Sequence, residues 1–456
     1  MSAFAPPPSG KPSAAALTTA KFLSLSSQAA TPGAVALVSA VVEHMASAVD
    51  QDRQNTRREV GMTKLRGAVG AIVGGLLRHW SDDGGPHLAF RSLTKDSFTG
   101  AAVGFRQFSA AMDAMGRSGL AARAAGIAFE VGGFGPGDPA SFARMAGRMW
   151  PSVTLLDLAT AHGITPDNVR THFVRVPSSV VPKVRAVVEL RALSTGRVGC
   201  AKVKALVPLS PEDREAAALR HDVEAQNAFA EATPVTGCTP PRWRRIFHGS
   251  LALGGRWYAS GEDSYQQMNG AARVSTILIA GEPTVEIDVR ASLFTVLAGL
   301  AGQPLDPAAD PYAVPGVPRA AVKAWVVASL GKGSPVVRWS DRALSEGAEG
   351  DPKALGAALT ARYPFLMDPA AVVPDDLAEG LGVSRKGILP HLLTGLEARA
   401  MTAAMRELRE GHGVLALPVH DSLIVPATAE GGAVVALRSA FVETCGAAGL
   451  VVRRAS

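Results

Sequence analysis

The sequence predicts an α+β protein, with helices gathered in its amino-terminal half and antiparallel hairpins in its carboxy-terminal half. Three observations carry this. Apolar residues recur at helical spacing through residues 33–80 and again at Phe105, Phe108, Met112 and Met115. Past residue 240, short apolar runs are joined by glycine-containing turns, as hairpins require. Finally, "ILPHLLTGLEARAMTAAMRELREGHG" places Leu389, Leu392, Leu393, Leu396, Ala400 and Leu408 on one helical stripe that runs into "GVLALPVHDSLIVPA".

A chain of 456 residues, 47% apolar and 19% charged, is long enough for two or three domains with a sizeable core. Its three cysteines, Cys200, Cys238 and Cys445, are far apart, which excludes a disulfide framework or a thiolate zinc site and suits a reducing, cytoplasmic setting. The run "GAVALVSAVVEHMASAV" is too short to span a bilayer and carries Glu43 and His44, so it reads as a helix with no membrane partner. Residues 1–240 hold 25 Lys and Arg against 19 Asp and Glu, whereas residues 241–456 hold 21 of each. The positive amino half is suited to a polyanionic partner such as nucleic acid, although an ordinary basic surface has the same charge.

Taken in order, residues 1–30 are Pro-, Ser- and Ala-rich and read as a disordered tail. Residues 31–237 form a mostly helical region, with Arg53, Arg57, Arg58, Lys64 and Arg66 on polar faces. Within it, residues 85–135 run helix, turn, short "IAFEV" strand, the order of a winged-helix unit, in which Arg106, Gln107 and Arg117 would face a groove or phosphates. The same pattern also describes a small helical packing module. "SVTLLDLATAHG" is a further helix closed by glycine, residues 168–207 contribute strands, and "PLSPEDREAAALRHDVEAQNAFAEA" is a helix opening at Ser210-Pro211. "TPVTGCTPP" is a linker, and the domain boundary is placed near residue 237, leaving 238–456 as the second region.

That region opens with arginines alternating with Trp243, Phe247, Trp257 and Tyr258, a mixture that grips phosphates and stacks on bases, or else a hairpin with an aromatic core. "RVSTILIA" reads as a strand, "GEP" as a turn, "TVEID" as a second strand and "ASLFTVLAGLAG" as a helix. Asp288 therefore ends a buried strand, where it serves as a helix N-cap or as a metal ligand. Asp421 sits between two β-runs that carry no other charge than its neighbour His420. Two such carboxylates on strand ends suit a pair of divalent ions about 3.5–4 Å apart. In "PRAAVKAW", Arg319 and Lys323 are four residues apart and share one helical face, which is suited to a triphosphate or simply to solvent.

The order of these segments resembles the palm and fingers of family A DNA polymerases and the related phage-type single-subunit RNA polymerases. "EIDVRASLFTVLAGLAG" looks like their motif A, "RAAVK" like motif B and "LPVHDSLIVP" like motif C, over roughly residues 240–430. The resemblance implies a polymerase-like right hand, with an antiparallel-sheet palm and helical, reduced fingers. It implies a template-dependent nucleotidyltransferase using two Mg²⁺ ions, with Mn²⁺ as a substitute, acting on nucleoside triphosphates and a DNA or RNA template or primer. Carried over by position, Asp288 and Asp421 are the metal ligands, and His420 approaches the primer terminus. Arg319 and Lys323 bind the triphosphate, while Arg256, Gln266, Gln267 and Arg273 contact nucleic acid. Val289, Arg290 and Leu293 stand where the DNA enzymes have Tyr-Ser and a later Glu, "SLGKG" replaces the Tyr-Gly after motif B, and Ser422 follows the motif C acid. These departures leave the sugar unassigned. They also keep open a catalytically inactive, polymerase-like nucleic-acid-binding protein of a replication or mobile-element system.

Overall fold

A computed structural model of the chain describes residues 3–13, 16–17, 19–49, 59–82, 85–131, 141–193, 196–198, 201–203, 206–340, 343–344 and 348–454. Arg53, Arg57, Arg58 and Cys200 lie outside the described residues. The fold is mixed α and β, built around two separate apolar cores.

The first core takes its buried residues from Leu23 to Phe173. Helices Pro32–Val49, Glu59–Trp80, Phe105–Arg117 and Val153–Ala161 pack with a four-stranded sheet ordered Lys21–Phe22, Ala89–Phe90, Arg148–Pro151, Ala121–Ala124. Residues 21–29, expected in a disordered tail, are instead part of this core. "KFLSLS" alternates apolar and small polar residues, and that period-two pattern buries Leu23 and Leu25 while Ser27–Ala29 pairs with Phe173–Arg175. The helix at Phe105–Arg117 is followed by Ala121–Ala124 and an antiparallel pair, Ile127–Val131 with Ser141–Met145. Arg106, Gln107 and Arg117 are exposed, and Gln107 Oε1 accepts the Gly104 N–H at 2.9 Å, so its amide is engaged at the helix start. The Val153–Ala161 helix is capped by the Ser152 hydroxyl, which accepts from Leu155 N, and Gly163 follows it at φ +76°.

The second core begins at Val188, well before the boundary expected at 237. Val188–Arg191 pairs in parallel with Trp243–His248, in a four-stranded sheet ordered Leu206–Val207, Val188–Arg191, Trp243–His248, Ser250–Ala259. The apolar strand at 188 thus joins a partner more than fifty residues later, and "TPVTGCTPP", expected as a linker, belongs to the second core, burying Cys238 and Thr239 and supplying the strand Val235–Thr236. The helix before that segment starts at Arg214, not at Ser210: Asp213 is the cap, its carboxylate accepting from Ala216 N at 3.0 Å.

Six strands form the sheet that carries the candidate site. Their order is Val235–Thr236, Leu278–Ile279, Glu282–Arg290, Ser422–Pro426, Leu417–Val419, with Leu450–Arg453 pairing the far half of Glu282–Arg290. All pairings are antiparallel. "RVSTILIA" departs from expectation: Gly270–Thr276 is helical, with only Leu278–Ile279 extended. The reason is local, since Asn269 caps the helix by accepting from Ala271 N, and Arg273 turns inward to a buried carboxylate. The long helix Arg385–His412 carries the expected stripe into the core and stops at Gly413, φ +62°. Among the described residues, no helix is long and apolar enough to cross a membrane.

The two cores meet through an ion pair. The Arg91 side chain is fully buried, stacks on Phe98 at 4.2 Å and pairs with Glu262, whose other oxygen accepts from Leu25 N at 2.5 Å.

Candidate active site

Along Glu282–Arg290, side chains alternate between the two faces of the sheet. Ile287 and Val289 are fully buried, whereas Glu286, Asp288 and Arg290 share the opposite face and grade from buried to exposed. Asp288 stands directly across from Ser422, and Val289 N–H donates to Asp421 O at 3.0 Å. Asp421 belongs to the tight turn between Leu417–Val419 and Ser422–Pro426, the two short β-runs expected from the sequence.

Both chain reversals beside the carboxylates use left-handed backbone at residues other than glycine: His420 at φ +54° and Ala291 at φ +56°. Such positions cost on the order of 1 kcal/mol and cluster at functional sites. Ala291 swings the start of helix Ser292–Leu300 back over the turn. Ser292 Oγ then lies 2.5 Å from Glu397 Oε2 and 3.3 Å from Asp421 Oδ2, its single proton serving one carboxylate at a time. Glu397 is fully buried on the long helix and paired with Arg256, whose Nη2 is 2.6 Å from Oε1. Burial pushes the Glu397 carboxyl above its usual range, and the Asp421 charge adds to this, against Arg256. Glu397 and Ser292 were missed in the sequence because an interior Glu on an apolar helical stripe looks like a solvated position one turn off.

Asp288 is pushed up to about 6, first by burial and next by the charge of Asp421, with Arg454 and Arg290 opposing. Among the described residues, neither aspartate has a cation within ion-pair distance. The His420 imidazole is held below its ordinary pKa by the protein packed around it and then by Arg256, although the residue keeps contact with solvent.

The remaining expected site residues divide into two groups. Arg273 is buried, with Nη2 2.9 Å from Glu286 Oε1, Nε 3.2 Å from Oε2 and Nη1 donating to Met268 O. Its fork is filled, and Arg256 gives Nε and Nη2 to Glu397 Oε1, so both are engaged within the protein in this conformation. Gln266 is likewise internal: its amide donates to Trp257 O and Pro418 O and accepts from Ala259 N. These three brace the site, whereas Gln267 is exposed. In the hairpin Trp243–Ala259, the aromatics Trp243, Phe247 and Trp257 are buried, which is the core reading of that segment.

Helix Arg319–Lys332 presents Arg319 and Lys323 to solvent. Arg319 Nε donates to Asp310 Oδ2 at 2.5 Å and its guanidinium covers the Tyr312 ring at 5.4 Å. Tyr312 in turn feels the charges of Arg319, Asp421, Asp310 and Asp288, while burial chiefly raises its hydroxyl pKa. It stacks on Phe294, with Tyr363 and Phe365 packed against the same ring. Tyr312 therefore links the cationic helix to the carboxylates, and "DPY" was its only sequence signal.

No known protein family matches this chain, and no curated protein matches it either. Among the described residues, no three His, Cys, Asp or Glu side chains gather as a closed metal site. The two aspartates nonetheless fit Mg²⁺: they are hard oxygen donors without a counter-ion, and Mg²⁺ is commonly held by one or two carboxylates with water and substrate phosphate completing its shell.

Proposed function

We propose that the chain is a template-dependent nucleotidyltransferase with a polymerase-like right-hand fold, joining nucleotides to a DNA or RNA strand. The observation that carries this reading is the pair Asp288 and Asp421, the first on a strand and the second in the turn that opens the adjacent strand, where burial and then the Asp421 charge push the Asp288 carboxyl up and, among the described residues, no cation stands within ion-pair distance. Asp288 and Asp421 would hold the divalent ions. When bound, these activate a strand 3′-hydroxyl and stabilise charge on the transferred phosphate and on the leaving pyrophosphate.

The protein's own groups then have distinct tasks. Ser292, held by Glu397, reaches the Asp421 carboxylate from behind, and Arg256 offsets part of the repulsion between Glu397 and Asp421. Lys323 offers a point charge to a triphosphate; Arg319 offers a fork once it exchanges Asp310 for phosphate. Tyr312, buried between Phe294 and the Arg319 guanidinium, braces the cationic helix from before it rather than following it as the family resemblance leads one to expect of an aromatic. The exposed His420 and Gln267 are the groups left to face a primer or template, and the positive amino half, with its winged-helix-like order, supplies phosphate contacts.

The second reading is a catalytically silent nucleic-acid-binding protein. It is favoured by the engagement of Arg256, Arg273 and Gln266 within the protein and of Arg319 with Asp310. Extension of a labelled primer on a template, with Mg²⁺ and either deoxyribonucleotides or ribonucleotides, separates the two. Product from the wild type and none from Asp421→Ala supports the enzyme; binding of the template without extension from either pool supports the silent protein.

A further inference from the structure

On a different face of the long helix from Glu397, a cleft of about 450 Å³ opens between helices Arg214–Ala232, Arg385–His412 and Glu430–Cys445 and the hairpin Trp243–Ala259. Arg245 lines it. This side chain is 2% exposed, wedged with its guanidinium over the rings of Phe247 at 5.0 Å and Trp257 at 5.5 Å. Its Nε–H donates to Gly255 O at 2.7 Å, and among the described residues neither Nη group has an acceptor or an ion-pair partner. Arg91, the other fully buried arginine, has Glu262. Burying a cation without a counter-ion is strongly unfavourable, and an arginine does not escape by losing its proton. Burial lowers its pKa only to about 10, so it stays charged at neutral pH.

The other charged groups facing this space are Arg399, Arg406, Glu215, Asp222 and Glu443. Asp222 acts on Arg245 from a distance but is held by Arg406 at 2.7 Å. Glu215 and Glu443 are exposed, where water screens them, whereas Arg245 is 2% exposed and meets water only through the cleft. Arg399, also exposed, stands at the mouth with one weak bond to Ala252 O at 3.3 Å.

We propose that this cleft binds a small oxyanion, a carboxylate or a phosphate ester, whose oxygens accept from both Nη groups of Arg245 while Arg399 closes over it. A planar guanidinium with two free donors matches such a group in bidentate fashion. The site is separate from the paired aspartates and stands whether or not they support nucleotide transfer.

The test is calorimetric titration of the full chain, in Mg²⁺-free buffer, with inorganic phosphate and separately with acetate. One saturable site for at least one anion is expected, weakened roughly tenfold or more by Arg399→Glu and unchanged by Arg319→Ala, which lies by the aspartates. Phosphate alone binding assigns a phosphate ester, and acetate alone assigns a carboxylate. Arg245→Met is expected to lose the site and, in anion-free buffer, to melt no lower than wild type, because it removes an unpaired charge. If Arg245→Met does not fold, Arg399→Glu alone decides. Absence of saturable binding of either anion to the wild type, or wild-type affinity in Arg399→Glu or in a folded Arg245→Met, overturns the proposal.

Discussion

Asp288 faces Ser422 across two antiparallel strands, and this register puts Asp421 at the strand end beside it, its carbonyl fixed by Val289 N–H at 3.0 Å. The spacing of the two main-chain positions that carry the carboxylates is therefore set by backbone hydrogen bonds. Ser422 adds to this, its hydroxyl donating to Glu286 Oε1 at 2.8 Å beneath the site. Under the proposed function, Asp288→Asn and Asp421→Asn should each reduce primer extension by roughly a hundredfold or more, since each removes a ligand for charge-stabilising ions. Circular dichroism should show both variants folded; extension at the wild-type rate by either would remove that aspartate from the mechanism.

Stability should depend on pH through Asp288. Its folded pKa of about 6 lies above the ordinary 3.8, so between these values the folded state binds the proton that the unfolded state releases. Its contribution is then fully present below about pH 4 and lost as pH rises through about 6. The wild type minus Asp288→Asn difference in urea-unfolding free energy, without divalent ions, should shift against the wild type by about 1–2 kcal/mol across that window, after allowance for solvent screening. Added Mg²⁺ should flatten the difference; a pH-independent difference without Mg²⁺ would contradict the proximity of the two charges.

Glu397 and Arg256 make a second test. Glu397→Ala leaves a largely covered guanidinium unpaired, a loss of about 3 kcal/mol. Glu397→Gln keeps an acceptor for Arg256 and a partner for Ser292, and should cost only about 1 kcal/mol. Denaturant midpoints distinguish these values, and equal losses would mean that packing, not charge, sets the cost.

Glu262→Ala strands fully buried Arg91, and the expected cost is about 3–5 kcal/mol. The double change Arg91→Met, Glu262→Leu should recover much of it. Thermal unfolding measures both, and a double variant no better than Glu262→Ala would show that the hydrogen bond from Leu25 N matters more than the charge.

Gly395 marks the close approach of the long helix to the hairpin. A Cβ there would meet Ala252 O at 2.4 Å, so Gly395→Ala must push helix and strand apart, at about 1–3 kcal/mol. A melting temperature unchanged from the wild type would show that the helix moves freely against the hairpin.

What could be read from the sequence follows from the range of the forces involved. The turn at His420–Asp421, the strand at Asp288 and the helix Arg385–His412 were legible because period two, period 3.6 and glycine stops are local signals. The burial of Leu23 and Leu25, between the short strands Lys21–Phe22 and Ser27–Ala29, was hidden by the Pro- and Ser-rich composition around it. "RVSTILIA" was misread because its β-branched residues suggested a strand while an Asn269 cap and a buried Arg273–Glu286 pair made a helix. The pairing of Val188–Arg191 with Trp243–His248, which spans the boundary expected at 237, is long-range, and no neighbouring residue announces it. Arg256, Arg273 and Gln266, expected to contact nucleic acid, are held by Glu397, Glu286 and Pro418, partners that arrive from elsewhere in the chain and that no local pattern announces. Ser292, Glu397 and Tyr312 depend wholly on such convergence.

The ion pair of Arg91 and Glu262 has a further consequence. Three residues past Glu262, Tyr265 donates its hydroxyl to Pro418 O, and Gln266 does so with its amide, two residues before His420. One short segment is thus clamped at one end by the first apolar core and at the other holds the turn that carries Asp421. The two cores part between residues 173 and 188, yet the chain is not divisible there. A fragment starting at 188 would keep every residue of the carboxylate site while stripping Glu262 of both Arg91 and the Leu25 N–H, with the tether on the Asp421 turn slack at its far end.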